Sequence, residues 1–294
     1  MSLVTAVVTT HRREPQMVER AIQSVLAQTH KALELIVVDD SPSDFALRDA
    51  VKDMTEKYST VKYIQHKTCQ GACAARNTGL EMAHGEFIGF LDDDDEWKPN
   101  KIERQLTGFV SESVALVYCE SELVDSKTGE KRLRNPGNCQ GKIFGELIKG
   151  NFVGSCSFPL IRTSALREIG GFDTQLLSSQ DHDVWLRLAE KYDAAYIDEP
   201  LVTYYIHSGD QISKNYARIV NGLEGVDCKY KDYISNHREV FWIRKTRLAP
   251  AYAGNKQLGK ALLLWCRCVL KCPRKVWGNL RCLYGIVRCA LGLN

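Results

Sequence analysis

The sequence predicts an α/β protein, with a mostly parallel central sheet flanked by helices and a helical extension at the C-terminal end. Three observations predict it. Apolar β-rich runs alternate with amphipathic stretches through the first half. Three of those runs end directly in Thr or Asp. The charge also changes sign along the chain: residues 1–213 carry a net −9 and residues 214–294 a net +12, within a total of +3 over 294 residues. Apolar residues make up 44% and charged residues 26%, which excludes a disordered, collagenous or purely disulfide-held chain.

The elements follow in order. LVTAVVT (Leu3–Thr9) is a first strand. Pro15 opens a helix with Met17, Ala21, Ile22, Val25 and Leu26 at helical spacing. LELIVVDD (Leu33–Asp40) is a second buried strand, followed by a helix around Phe45–Tyr58 and the short strand VKYIQ (Val61–Gln65). Gly71–Gly85 reads as a helix, with Gly85 just past its end. EFIGFLDDDDEW (Glu86–Trp97) is a strand running into acids, Pro99 begins another helix, and VALVY (Val114–Tyr118) is the next strand.

The middle is mixed. Turns are expected at Lys127–Gly129 and Asn135–Gly137, then SFPLIR, REIGGFD, a helix from Asp181 to Tyr192 and the strand LVTYYIH ending in His207. From Lys214 onward the pattern is wholly helical, with Pro250 and Pro273 as breaks. Two domains are therefore expected, 1–213 and 214–294. No stretch reaches ~18 uncharged apolar residues. The start reads as a strand and not as a signal peptide. The 11 cysteines are irregularly spaced, which suits reduced thiols in the cytoplasm. Those near the end lack a CxxC pair or a nearby His, so they read as small buried hydrophobes, not a zinc site.

Parallel βα units place all strand C-termini along one edge, and ligands bind outside that edge. Thr9, Thr10, Asp39, Asp40 and Asp92–Asp95 would converge there. In extended geometry Asp92 and Asp94 point to the same side. Two such carboxylates suit Mg²⁺ or Mn²⁺, which takes its other ligands from water and phosphate.

At these residues the chain resembles the family-2 nucleotide-sugar glycosyltransferases of the GT-A (Rossmann-like) fold. VVTTHRREPQMVERAIQSVLAQTHKALELIVVDDSPSD resembles the N-terminal block, and GACAARNTGLEMAHGEFIGFLDDDDEW the Arg-Asn-Gly helix with its Asp-x-Asp strand end. NFVGSCSFPLIRTSALREIGGFD and SQDHDVWLRLAEKY resemble the acceptor-side motifs. The resemblance spans residues 3 to about 210, with four motifs in the family's order.

What it implies is an inverting, metal-dependent transfer of sugar, most simply from a UDP-sugar. Thr9, Thr10, Asp39, Arg76, Asp92 and Asp93 would contact the nucleotide-sugar. Asp94 and His207 would reach the metal, Mn²⁺ or Mg²⁺. Asp181 would take the proton from the acceptor hydroxyl, with Gly171, Gln180 and Asp183 on the acceptor side. Gln180 stands where the family typically has Glu. Asp183 is the rival base, although a first-turn acid also suits the helix dipole. His182 is expected to be exposed.

In the basic end, Leu262, Trp265, Val269, Val276, Leu280, Leu283 and Val287 recur at helical spacing among Lys and Arg. That composition suits an interfacial helix on an anionic membrane, with Trp265 and Trp277 at headgroup level. Packing on the body or on a second subunit, as a homo-oligomer, is the rival. No nucleic-acid-binding motif occurs. The expected setting is peripheral, on the inner face of a membrane, with a glycan or lipid-linked acceptor. Two other classes fit less well. A nucleotidyltransferase would show a Gly-rich phosphate loop, whereas TTHRREP has no Gly. A non-catalytic scaffold would not need Asp92, Asp94 and Asp181.

Overall fold

A computed structural model describes residues 1–135, 137–206 and 215–292. The described chain divides into two compact units. One comprises Met1–Leu147, Asn151–Thr174 and the stretch from Asp181 through the last strand; the other gathers Ile148–Gly150, Gln175–Gln180 and the C-terminal helices.

The first unit is built on a sheet of order β3-β2-β1-β4-β8-β6-β9-β5, with β7 pairing β6. Strands β1 (Val4–Thr10), β2 (Leu33–Asp39), β3 (Val61–Gln65) and β4 (Phe87–Asp92) are mutually parallel. The apolar runs of β1, β2 and β4 are buried, as parallel strands under helices require, whereas β3 at the sheet edge is only partly buried. Helix α1 (Pro15–Leu26) starts on Pro15 and buries Val18, Ala21, Ile22 and Val25 against that sheet. Fully burying each larger aliphatic side chain there stabilises by about 1.5–3 kcal/mol. Helix α2 (Arg48–Glu56) precedes β3, and α3 (Ala72–Met82) precedes β4.

Gly85 does not cap α3; Ala83 does. A Cβ on Gly85 would lie 2.5 Å from the Thr5 backbone nitrogen, so this glycine permits the close approach of the chain to β1. The acidic run also differs from one continuous strand. β4 stops at Asp92, and Glu96–Trp97 forms a separate strand, β5, antiparallel to β9 (Asp193–Ile206). Helix α4 (Lys101–Leu106) follows, then the long strand β6 (Val114–Asp125), β7 (Lys131–Arg134) and the short helix α5 (Phe144–Leu147). β8 (Leu160–Arg162), antiparallel to β4 and β6, α6 (Thr163–Glu168) and α7 (Gln180–Lys191) complete the unit ahead of β9.

The second unit contains α8 (Tyr216–Lys229), α9 (Lys231–Asn236), α10 (Arg238–Gly254), α11 (Leu258–Lys271) and α12 (Val276–Ala290). Its core joins Leu248, Ala249, Ala261, Leu264, Cys282 and Ile286. Pro250 does not break the helix, because α10 runs on through it to Gly254. Asp227 pairs with both Arg244 and Lys245, and Arg244 also donates to the Ile148 carbonyl at 2.9 Å. All 11 cysteines are unpaired; Cys268, Cys272 and Cys282 are buried as expected, whereas Cys266 is exposed.

Candidate functional site

Register places the site. Thr9 of β1 lies opposite Asp92 of β4, and Thr10 lies opposite Asp39 of β2. The strand ends thus share one edge, where the loop 11–14 leaves toward α1 with Arg12 in the left-handed region at φ 53°.

The acidic run alternates. Asp93 and Asp95 are buried, while Asp92 and Asp94 are partly exposed. Each has its own partners. Asp92 accepts from Arg76 Nη2 at 2.7 Å and Ser155 Oγ at 3.0 Å. Asp93 accepts from Arg13 Nε at 2.8 Å and from the His11 backbone N–H at 3.3 Å. Asp94 accepts from Arg13 Nη2 at 2.8 Å. Asp95 accepts from Ser157 Oγ at 2.6 Å. Burial pushes the Asp93 carboxyl up to about 7, against the pull of Arg13. Burial likewise raises Asp95 well above the carboxylate range, with Asp92 and Asp94 adding repulsion. Arg76 is buried on α3, with its guanidinium 5.6 Å from the Phe172 ring centre. Burial would lower its pKa, but its neighbours, Asp92 among them, raise it.

Asp181 enters from α7. Asn151 Nδ2 donates to its Oδ2 at 2.9 Å, and the His182 backbone N–H donates to Oδ1 at 2.7 Å. Burial raises its pKa first; Asp92 raises it further, while Arg76 lowers it. Asp181 therefore feels the charges of Asp92 at the end of β4 and of Arg76 on α3. Tyr204 is pushed up by burial and by Asp95, Asp92, Asp94 and Asp181 together. Asn151 also fixes its own loop, exchanging bonds with Gly154, whose carbonyl accepts from Trp185 Nε1 at 3.0 Å.

Several expected residues are not brought to this opening. Asp39 is fully buried, and its oxygens accept from the Ser41 backbone N–H and the Tyr63 hydroxyl. Asp40 anchors the loop after β3 through the backbone N–H groups of Gln70 and Gly71, both at 2.7 Å, and pairs with His66. Asp93 turns inward to Arg13, and Thr10 is buried beside it. Asp183 is completely enclosed and bonded to Arg187, which also donates to the carbonyls of Ile169 and Gly171. Asp183 therefore holds the glycine turn in place and does not face an acceptor.

Gly171 is buried at φ +67°, where a Cβ would lie 2.6 Å from Asn77 Oδ1. Asn77 in turn clasps Phe172 through its backbone N–H and C=O, so this glycine is needed for the turn itself. Gln180 is partly buried and donates to the Leu176 carbonyl. His182 is buried, with Nε2 2.7 Å from the Leu147 carbonyl, against the expected exposure. His207 lies outside the described residues.

Sequence reasoning missed Arg13, Arg20, Asn151, Ser155 and Ser157. Arg20 donates to the Asp94 carbonyl at 2.8 Å and pairs with Glu96 at 3.1 Å. The signal for the serines was their two-residue spacing in GSCSF, which lets both reach the same strand end.

The fold is that of the GT-A type. The structure superposes on TarS of S. aureus, solved with UDP-GlcNAc, with a TM-score of 0.62 at 18% identity over 84% of this chain and 70% of that one. The family model described as "Glycosyl transferase family 2" matches residues 5–170, and the chain belongs to that family. It is 30% identical to WcaA of Escherichia coli, a putative colanic acid biosynthesis glycosyl transferase, over 74% of this chain and 77% of that protein. It is 28% identical to WfgD of Escherichia coli, a UDP-Glc:alpha-D-GlcNAc-diphosphoundecaprenol beta-1,3-glucosyltransferase, over 72% of this chain and 80% of that protein. TuaG of Bacillus subtilis, a putative teichuronic acid biosynthesis glycosyltransferase, is 27% identical over 72% of this chain and 82% of its own length. The protein is a glycosyltransferase.

Proposed function

We propose that this enzyme transfers a sugar, with inversion, from a UDP-sugar to a lipid-linked acceptor in surface-polysaccharide assembly, working at the inner face of a membrane. The observation that carries the reading is the pattern at the end of β4: Asp92 and Asp94 partly exposed, Asp93 and Asp95 buried, with Asp181 near enough to feel the charge of Asp92. The names of the relatives support a lipid-linked acceptor and a polysaccharide product, and the TarS complex supports a UDP-linked donor.

The residues fit a divalent cation. Asp92 and Asp94 offer hard oxygen ligands, both partly exposed, and two carboxylates leave room for diphosphate and water. Bound there, Mg²⁺ or Mn²⁺ supplies Lewis-acid stabilisation of the leaving diphosphate. The chain's own groups do the rest. Arg76 sets the Asp92 carboxylate. Arg13 neutralises Asp93 and Asp94, which would otherwise repel each other and the donor. Asn151 aims Asp181, which accepts the proton of the acceptor hydroxyl as its oxygen bonds the anomeric carbon. The bond from that carbon to the diphosphate breaks, its electron pair leaves with UDP, and the transition state has oxocarbenium character. Asp181 has its pKa raised by burial, which makes it a stronger base than an exposed Asp.

A screen of nucleotide-sugars for Mn²⁺-dependent donor hydrolysis tests this, with Asp94→Ala as control. Turnover of a UDP-sugar that Asp94→Ala abolishes is the expected result. If no donor is bound or turned over, the reading fails.

A further inference from the structure

The C-terminal helices carry a second surface that the transfer chemistry does not use. Helix α12 has two apolar sides. One buries Asn279, Cys282 and Ile286 among α10 and α11. On the other, Trp277, Leu280, Tyr284, Val287 and Leu291 recur at spacings of three and four and are all exposed, Trp277 at 80%. Helix α11 repeats the arrangement. Ala261, Leu264 and Cys268 face the core, while Leu258, Leu262, Leu263 and Leu270 are exposed, Leu270 at 81%. A soluble helix buries its one apolar stripe; these two helices bury one and present another. A row of exposed apolar side chains along one helix face, as on α12, marks an interaction site.

Charge selects the partner. After Glu239 the sequence has no acid and 11 Lys or Arg. Lys260, Arg267, Arg274, Lys275, Arg281 and Arg288 are exposed around the apolar residues. A second copy docking through this face would set like charges against like, because a two-fold contact repeats the same patch on both sides. An anionic lipid headgroup layer has the complementary sign, and acyl chains accept the Trp and Leu side chains. The helices have 14 and 15 residues. Among the described residues no helix is long and apolar enough to span a membrane. Trp265, expected at headgroup level, instead turns inward, donating to the Asn279 carbonyl at 2.8 Å.

We infer that the outer face of α11 and α12 lies in the plane of an anionic phospholipid bilayer, with Trp277 and Leu270 inserted and the surrounding Lys and Arg on the headgroups. This deepens the membrane-proximal reading above by naming the surface, and it can be tested apart from catalysis. Of the five tryptophans, Trp97 and Trp185 are buried and Trp277 is the most exposed among the described residues. The full chain is mixed with vesicles of phosphatidylcholine alone or of phosphatidylcholine with phosphatidylglycerol, and flotation and tryptophan emission are read.

The expected result is flotation and a blue shift with the mixed vesicles only. The blue shift should disappear in Trp277→Phe. Flotation should be lost in Leu270→Gln/Trp277→Gln, whose melting temperature and donor hydrolysis are unchanged. Arg281→Gln should weaken binding by about fivefold, one surface charge's share. Equal flotation of parent and double variant overturns the inference. So does a concentration-dependent dimer in light scattering that Trp277→Gln dissolves, which would give the face to a second copy. Vesicle binding without turnover of any donor supports the face while removing the transferase reading.

Discussion

The rim of the sheet and the outer face of the helical unit invert the usual rule in opposite directions. At the rim, charge is turned inward: Asp93 and Asp95 are buried and held by Arg13, Ser157 and backbone groups. On α11 and α12, apolar side chains are turned outward. Both arrangements cost stability, since a buried carboxyl loses hydration, which is why its pKa is raised, and exposed Leu and Trp lose none of their contact with water. The comparison teaches that function is written where each unit departs from simple burial. It also separates the two proposals, chemistry at the rim and attachment on the helices.

The largest effect should come from the rim. Asp181→Asn keeps the bond to Asn151 but cannot take a proton, so sugar transfer should fall by about 10³-fold in single-turnover assays, the usual worth of a general base. A fall below tenfold would shift the base elsewhere and blur the contrast between the units. In the parent, the sign follows from the raised pKa: Asp181 works deprotonated. Transfer should therefore decline as pH falls, beginning above 3.8, the ordinary carboxyl value. That decline should be absent from the residual activity of Asp181→Asn.

Next comes the support beneath the rim. Arg187→Met strands the buried Asp183 and frees the glycine turn, so chemical denaturation should show a loss of about 3–5 kcal/mol, as for other broken buried pairs. A loss under about 1 kcal/mol would mean that Asp183 is not held in place by this pair alone. A comparable core truncation in the helical unit, Ile286→Ala, should cost about 2–5 kcal/mol while leaving donor hydrolysis per folded molecule unchanged. Changed kinetics there would break the division of labour.

Lys101 sharpens the comparison from the side of buried charge. It is wholly buried, 2.6 Å from Gln105 Oε1 and 4.2 Å from the centre of the Trp97 ring. Burial lowers its pKa from 10.5 to about 8. The folded state therefore binds fewer protons than the unfolded state between those values, and this lysine adds stability as pH rises from about 8 to 10.5. Lys101→Met should flatten that rise in melting temperature. The smallest effect belongs to the outer face, where Leu280→Gln should change stability by no more than about 0.5 kcal/mol. A larger loss would show that this side is already covered by protein.

Much of this was legible in one dimension. β1, β2, β3 and α1 fall within a residue or two of their predicted limits, because continuous apolar runs and a proline at a helix start are local signals. The extended run expected through Asp92–Asp94 does not form: β4 ends at Asp92, and the Asp95 N–H closes a turn on the Asp92 carbonyl at 3.0 Å, so the alternating burial comes from the turn and its partners and not from extended geometry. The order of the four motifs is enough to carry the family. Neighbouring identical residues were harder to separate. Asp39 was expected at the nucleotide and Asp40 in a structural role; Asp39 is enclosed by Tyr63 and Ser41, and Asp40 is held by His66 and Gly71 of the next βα unit and not by the SPSD that follows it. Asp181 and Asp183 are both first-turn acids, and only the position of Arg187 one turn later encloses the second.

By itself, then, the sequence determined the parallel sheet, the edge where its ligand groups gather, and the sign of charge on each half. Those follow from periodicity and composition, which act over a few residues. Tertiary structure decided which carboxylates stay open, which tryptophan points outward and which glycine is a turn. Several of those depend on partners distant in the chain, 16 residues for Arg76 on Asp92 and 95 for Asn77 on Phe172. Burial, hydrogen bonding and electric field belong to the packed arrangement, and no local pattern encodes them.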